Sequence, residues 1–259
     1  MLCQFTVKNF KSIRDEVTFD MQAAAISEHK DRIIKDVDGE RYLPVSAVYG
    51  PNGGGKSNVL AALHTLVAKI LRPLYATEDN EKGSLLQKRI IVEPFAFSES
   101  KNEPTEFELF FRTDVAEYRY ILHVKRDAVL YESLDRIKLQ TGRRSALFTR
   151  DENKINLKGV FGKLKVSDDL SKTLTLLSYL GIAYKGNAVV KDVLDWFESG
   201  VYFLNYGNPI EELRMAVATS EEVKYLMLDM IKEMDLDIID FRVEEKENDM
   251  IEVFTKHCV

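Results

Sequence analysis

Apolar and polar positions change period several times along this chain of 259 residues. Near the start, Cys3, Phe5 and Val7 alternate with Gln4, Thr6 and Lys8, the period of a half-buried strand, and a second strand is predicted from Val17 to Met21. Between them, Asn9-Phe10-Lys11-Ser12 reads as a polar turn with one apolar anchor. Residues 23–42 are mixed and charged and read as loop with one helical turn. Leu43 to Tyr49 then form a short apolar run, predicted to be a strand, followed by a glycine-rich loop. Beyond the loop Val59, Leu60, Leu63, Leu66, Val67 and Ile70 share one helical face. That helix is predicted from Gly55 or Lys56 to Leu71, with Pro73 as its stop.

After a polar stretch over 74–88, period two returns at Phe95 and Phe97, at Phe107, Leu109 and Phe111, and at Tyr118, Tyr120, Leu122 and Val124. Further strands from Ala128 to Leu139 and Ala146 to Thr149 complete a predicted antiparallel meander. From Asp169 the spacing is helical. Leu170, Leu174, Leu177 and Leu180 predict one helix capped by Gly181; Val189, Val193, Leu194, Trp196 and Phe197 predict another ending at Gly200, with the two aromatics in a core or interface. Ser220-Glu221-Glu222 reads as a third helix start, and Ile238 to Val243 with Ile251 to Phe254 as a hairpin. Three parts follow: 1–72 with the first strands, glycine loop and first helix; 73–168, rich in β-structure; and 169–259, helical and ending in the hairpin.

The loop carries the chemistry. Gly50 and Gly55 frame four residues and Lys56-Ser57 follow, satisfying G-x-x-x-x-G-K-[ST]. Glycine reaches dihedrals closed to other residues, so successive N–H groups can turn inward as an anion nest, and the following helix adds its free amides and positive dipole end. Lys56 is then expected on the outer phosphates and the Ser57 hydroxyl on Mg²⁺, making a nucleoside triphosphate with magnesium the expected ligand. At ordinary residue usage the four fixed positions arise by chance in roughly one chain of this length in a hundred. The inserted antiparallel block departs from the alternating βαβ order of small kinases and GTPases, which disfavours a small-molecule phosphotransferase.

Asn9-Phe10-Lys11-Ser12 together with Gly50-Pro51-Asn52-Gly53-Gly54-Gly55-Lys56-Ser57-Asn58 resembles the ABC-type ATPases of the SMC, recombination-repair and OLD-nuclease group. It looks most like the AAA-family ATPases of prokaryotic antiphage and abortive-infection operons. The resemblance implies a mixed α/β (α+β) P-loop NTPase fold, an ABC-ATPase-like head with an antiparallel β subdomain and a helical region. It also implies nucleotide contacts from Asn52 through Asn58 with Lys11 near the γ-phosphate, pairing of two heads or a second polypeptide to complete the site, a nuclease or toxin partner, and a role in defence. In such relatives a magnesium-binding aspartate, a neighbouring glutamate and a serine-glycine signature complete catalysis. The nearest counterpart of the acid strand here is Leu226-Met227-Leu228-Asp229, which has helical spacing and lacks the glutamate. Leu177-Ser178-Tyr179-Leu180-Gly181 has its serine and glycine one residue too far apart for the signature. The catalytic acid is thus unassigned. The resemblance covers the front part of the family's domain, so a truncated or split arrangement is expected. The rival reading is a nucleotide-gated scaffold that binds without turnover.

Other residues change the picture little. Gln87 and Gln140 are candidate magnesium-contact glutamines with no spacing rule to choose between them. His64 belongs to the first helix, and His257 beside Cys258 has too few partners for zinc. Lys138, Arg143, Arg144 and Arg150 form a basic cluster at a hairpin tip, a possible contact for nucleic acid. Against broad nucleic-acid affinity stand 42 acidic and 36 basic residues, a net charge of -6. Two cysteines near opposite ends fit a reducing cytosol, and no apolar run is long enough to span a bilayer.

Overall fold

The computed structural model describes residues 1–25, 31–76, 90–97, 99–167, 169–203, 224–229, 238–246 and 250–257. The chain forms two compact units, Met1–Val201 and Tyr202–Val259. In the first, β1 (Leu2–Lys8) and β2 (Val17–Asp20) form where the alternation places them and pair antiparallel, Phe5 opposite Phe19. A small ribbon, β3 (Ile34–Lys35) and β4 (Arg41–Tyr42), precedes helix α1 (Lys56–Ala76). The meander follows as β5 (Thr105–Arg112), β6 (Ala116–Lys125), β7 (Ala128–Lys138) and β8 (Arg144–Asp151), with a β9 (Lys154–Leu157) that the period did not announce. These make one seven-stranded antiparallel sheet, ordered β2-β1-β5-β6-β7-β8-β9.

One face of the sheet is apolar because every second residue of β1, β5 and β6 is: Phe5, Val7, Phe107, Leu109, Phe111, Tyr118, Tyr120 and Leu122 are all buried. Helix α2 (Leu176–Ala183), helix α3 (Ala188–Ser199) and α1 supply further buried side chains. Trp196 and Phe197 are core aromatics: Phe111 stacks on Trp196 with centroids 4.3 Å apart and meets Phe197 edge-on at 5.4 Å. Asp192 fixes α3 by accepting from Tyr118 Oη at 2.7 Å and Thr113 Oγ1 at 3.0 Å.

Several elements differ from expectation. Leu43 to Tyr49 form no strand; Val45 is 77 % and Tyr49 92 % exposed. A strand exists only through its neighbours, and among the described residues none pairs with 45–49. Helix α1 continues past Pro73 to Ala76: the ring removes one hydrogen bond, yet Leu74 in the last turn is buried, which holds that turn in place. Gly181 lies inside α2 rather than capping it. A β-carbon there would stand 2.8 Å from Leu74 Cδ2 and 2.5 Å from Leu194 Cδ1, so the glycine lets α1, α2 and α3 close together. Leu60 faces outward, 57 % exposed. Leu170 and Leu174 precede α2 because the backbone there is already engaged: Lys172 O accepts from Val129 N at 2.8 Å, and Leu174 O from Arg150 Nη1 at 2.6 Å. Helix α3 runs to Gly200 as expected.

In the second unit, β10 (Ile238–Lys246) and β11 (Met250–His257) form the expected hairpin. Residues 224–229 are helical, and Lys224 Nζ pairs with Asp240 at 3.1 Å. The helix start at Ser220 lies outside the described residues.

Candidate functional site

The glycine loop and the turn after β1 meet at the start of α1. Gly53 and Gly55 adopt φ of +79° and +84°, the left-handed region that their lack of a β-carbon permits. Gly54 N–H turns back onto Pro51 O at 3.2 Å; in the first turn of α1, Asn58 N–H and Val59 N–H donate to Gly55 O at 2.9 and 3.3 Å, which leaves the amides of Lys56 and Ser57 for an anion. Lys56 Nζ reaches over the loop and donates to Gly50 O and Pro51 O, 2.8 Å each. These are neutral acceptors, so a phosphate oxygen at the same place would be the stronger partner for the ammonium.

The turn Asn9-Phe10-Lys11-Ser12 is the wall opposite. Asn9, buried and left-handed at φ +56°, donates through Nδ2 to the carbonyls of Ser100, Glu103 and Pro104 and accepts from Phe95 N at 3.0 Å. Its own carbonyl accepts from Thr105 Oγ1 at 2.6 Å. Phe10 N–H and Ile13 N–H exchange hydrogen bonds across the turn and so hold Ser12 at its tip. Ser12 Oγ accepts from Asn58 Nδ2 at 2.7 Å and lies 3.2 Å from where a β-carbon on Gly55 would be.

Together these segments enclose an open cleft of about 640 Å³, lined by Ser12, Arg14, Asp15, Gly53, Lys56 and Phe95 among others, a size ordinary for a small-molecule ligand. Arg14 and Asp15, which the motif reading passed over, face each other there: Arg14 Nη2 donates to Asp15 at 2.8 Å, holding the carboxyl below the usual range. Lys11 lies at the same turn with its ammonium 5.5 Å from the Phe10 ring centroid, outside the cleft lining. The exposed Ser57 hydroxyl at the first turn is a hard oxygen of the kind magnesium takes, with phosphate and water completing the shell. Among the described residues, no cluster of acids, histidines or cysteines could hold a metal without such help.

The remaining candidates are scattered. Asp229 ends the helical residues 224–229, an exposed position in the second unit. Gln140 is exposed in the β7–β8 turn, His64 is exposed on α1, and Gln87 lies outside the described residues, as does Cys258. The basic cluster does not exist as a unit. Lys138, Arg143 and Arg144 are exposed, but Arg150 is 1 % exposed, its guanidinium held by the carbonyls of Glu152, Leu174 and Ser171.

Residues 45–208 match the family model described as "AAA domain, putative AbiEii toxin, Type IV TA system". The chain belongs to this AAA domain family. That match spans well over half of the sequence and includes the whole glycine loop, α1 and the meander. An AAA domain is a P-loop NTPase fold, and membership supports a nucleotide-binding ATPase function in an abortive-infection context. Among curated proteins none matches the sequence. Among the described residues no helix is long and apolar enough to cross a membrane.

Proposed function

We infer that this AAA domain binds ATP with magnesium through Asn52, Gly53, Gly54, Gly55, Lys56, Ser57 and Asn58. The carrying observation is the cleft itself, where left-handed glycines, the helix-start amides of Lys56 and Ser57 and the Lys56 ammonium converge. The loop amides hold the β-phosphate and Lys56 leaves its carbonyls for the outer phosphates, offsetting charge that water attack on the γ-phosphate would develop. Ser57 would hold the magnesium ion, which when bound neutralises the tail and orients it. Lys11, exposed beside Ser12 and outside the cleft lining, would swing from the Phe10 ring to serve as a second cation for the tail. The loop residues Pro51 to Gly54 are exposed, so a bound triphosphate presents its outer end to solvent, where a second head or another polypeptide can close over it. Binding would thereby drive association, in a defence system with a nuclease or toxin partner.

One observation favours the scaffold alternative. Among the described residues Asp15 is the one carboxylate lining the cleft, and Arg14 occupies it. Under this reading ATP locks an interface and is not turned over by the chain alone.

Calorimetric titration of the purified chain with ATP in magnesium and in excess chelator tests both. Lys56→Ala is expected to weaken ATP binding by at least about tenfold, the scale of a lost charge-assisted contact, without a change in thermal midpoint. Unchanged affinity in that variant would sink the assignment. Phosphate release by the isolated wild-type chain would exclude the scaffold, and a nucleotide-dependent rise in mass by light scattering would support closure by a second copy.

A further inference from the structure

A glycine loop and a lysine recognise a phosphate tail and say nothing about what the tail is attached to. The same cleft holds an aromatic wall. Phe95 lines it, half-buried, and Phe97 packs edge-on against Phe95 at 5.8 Å with 89 % of its own surface exposed. The sequence period makes these two residues a strand, but residues 91–95 run as an irregular segment, with a turn at 96–97. An irregular backbone is held in place only by particular hydrogen bonds, and three are present: Val92 N–H to Arg126 O at 2.7 Å, Lys11 N–H to Glu93 O at 2.9 Å, and Phe95 N–H to the Asn9 side chain at 3.0 Å. Asn9 is itself fixed by its side-chain bonds to the carbonyls of Ser100, Glu103 and Pro104, by Thr105 on its own carbonyl, and by its N–H on Arg14 O.

Apolar surface left open on the wall of a cleft marks a contact surface, and Phe95 shares this wall with Ile13, Val17, Val48 and Tyr49. Here the ring is presented by a clamped backbone on the wall of a cleft that also holds the phosphate cradle. We propose that Phe95 is the stacking surface for the nucleobase, with Phe97 supporting its edge, and that Asn9 is the residue that positions it. The inference rests on the nucleotide reading of the glycine loop and sharpens it: the ligand is a nucleoside triphosphate held at both ends, not a polyphosphate. Stacking uses the face of the base, so it does not distinguish ATP from GTP.

The test is competition against a fluorescent ATP analogue with three probes: ATP, GTP and inorganic tripolyphosphate. Phe95→Ala is expected to weaken ATP and GTP alike, by about 5- to 150-fold, while tripolyphosphate binds as to the unsubstituted chain. Phe95→Tyr, which keeps the ring, is expected to restore both nucleotides to within about twofold and guards against loss of folding in the alanine variant. Nucleotide affinity unchanged by Phe95→Ala, or a loss shared equally by tripolyphosphate, overturns the stacking role. The nucleotide reading fails separately, and visibly so: tripolyphosphate and ATP would then both bind Lys56→Ala as tightly as the unsubstituted chain.

Discussion

Arg112 shows what a single side chain outside any motif can hold. It is the last residue of β5, 6 % exposed at its side chain, and it pairs with Asp36 at 2.9 Å, Asp38 at 2.8 Å and Glu117 at 2.7 Å, with its guanidinium carbon 5.0 Å from the Tyr42 ring centroid. Three of those partners sit in or beside the β3–β4 ribbon, which is thereby fastened near the β1 end of the sheet. Burial opposes the charge on Arg112, but the hydrogen bonds to Asp38, Asp36 and Glu117 outweigh it and raise its pKa. The same bond from Arg112 holds the Asp38 carboxyl below its usual value. A carboxylate with a depressed folded pKa contributes stability above its unfolded value of about 3.9, and that contribution is lost as pH falls through the folded value. Asp38→Asn is therefore expected to lower the thermal midpoint at pH 7, with the gap to wild type closing below about pH 4. Melting curves from pH 3 to 7 read this directly, and a gap of constant size across that range would remove Asp38 from the acid response.

At the scale of an element, the start of α2 depends on a carboxylate from a different strand. Glu132 of β7, fully buried, accepts from Leu176 N at 2.6 Å, Leu177 N at 2.9 Å and Tyr120 Oη at 2.9 Å, and it faces Arg150 across the β7–β8 pair. A negative group there satisfies two amides that the first turn leaves open and lies at the positive end of the helix. Glu132→Ala would strand two amides and a tyrosine hydroxyl and remove the carboxylate that faces the buried Arg150, and is expected to cost about 3–5 kcal/mol in urea unfolding. A cost under about 1 kcal/mol would show that water replaces the carboxylate freely. Neither Glu132 nor Arg150 is legible in the sequence, because each sits where the strand period asks only for a buried residue and its partner is defined by pairing register. What was legible had local causes. Phe5, Phe107, Leu109, Tyr118 and Tyr120 alternate because one face of the sheet is dry, and the glycines at 53 and 55 stand where the loop turns left-handed, the spacing that the proposed anion nest requires. The errors came where tertiary contact decides: Leu74 carries α1 past Pro73, Arg150 takes the carbonyls that would begin a helix at Leu170, and Val45 to Tyr49 lack the neighbour that would make them a strand.

For the whole molecule, the question is which stretch of chain makes a self-sufficient body. The family match begins at residue 45, yet the first compact unit begins at Met1, and the difference is structural. Strand β1 lies between β2 and β5, with Val7 opposite Phe107 and the Phe5 ring stacked on Phe107 at 6.5 Å. It also delivers Asn9, the side chain that ties segment 95–105 to the cleft wall. Removing residues 1–44 would leave β5 as an open edge, expose the apolar faces of Phe107 and Leu109, and dissolve the wall that faces the glycine loop. Residues 1–201, by contrast, retain every strand of the seven-stranded sheet together with helices α1, α2 and α3. A chain of 1–201 is thus expected to unfold in one cooperative transition and to bind ATP within about twofold of the full chain, whereas 45–259 is expected to aggregate or to show no cooperative melt. Circular-dichroism melts of the two pieces decide the matter. If 45–259 unfolds cooperatively and binds ATP, the first two strands are an appendage, and the cleft needs no wall from the turn at Asn9.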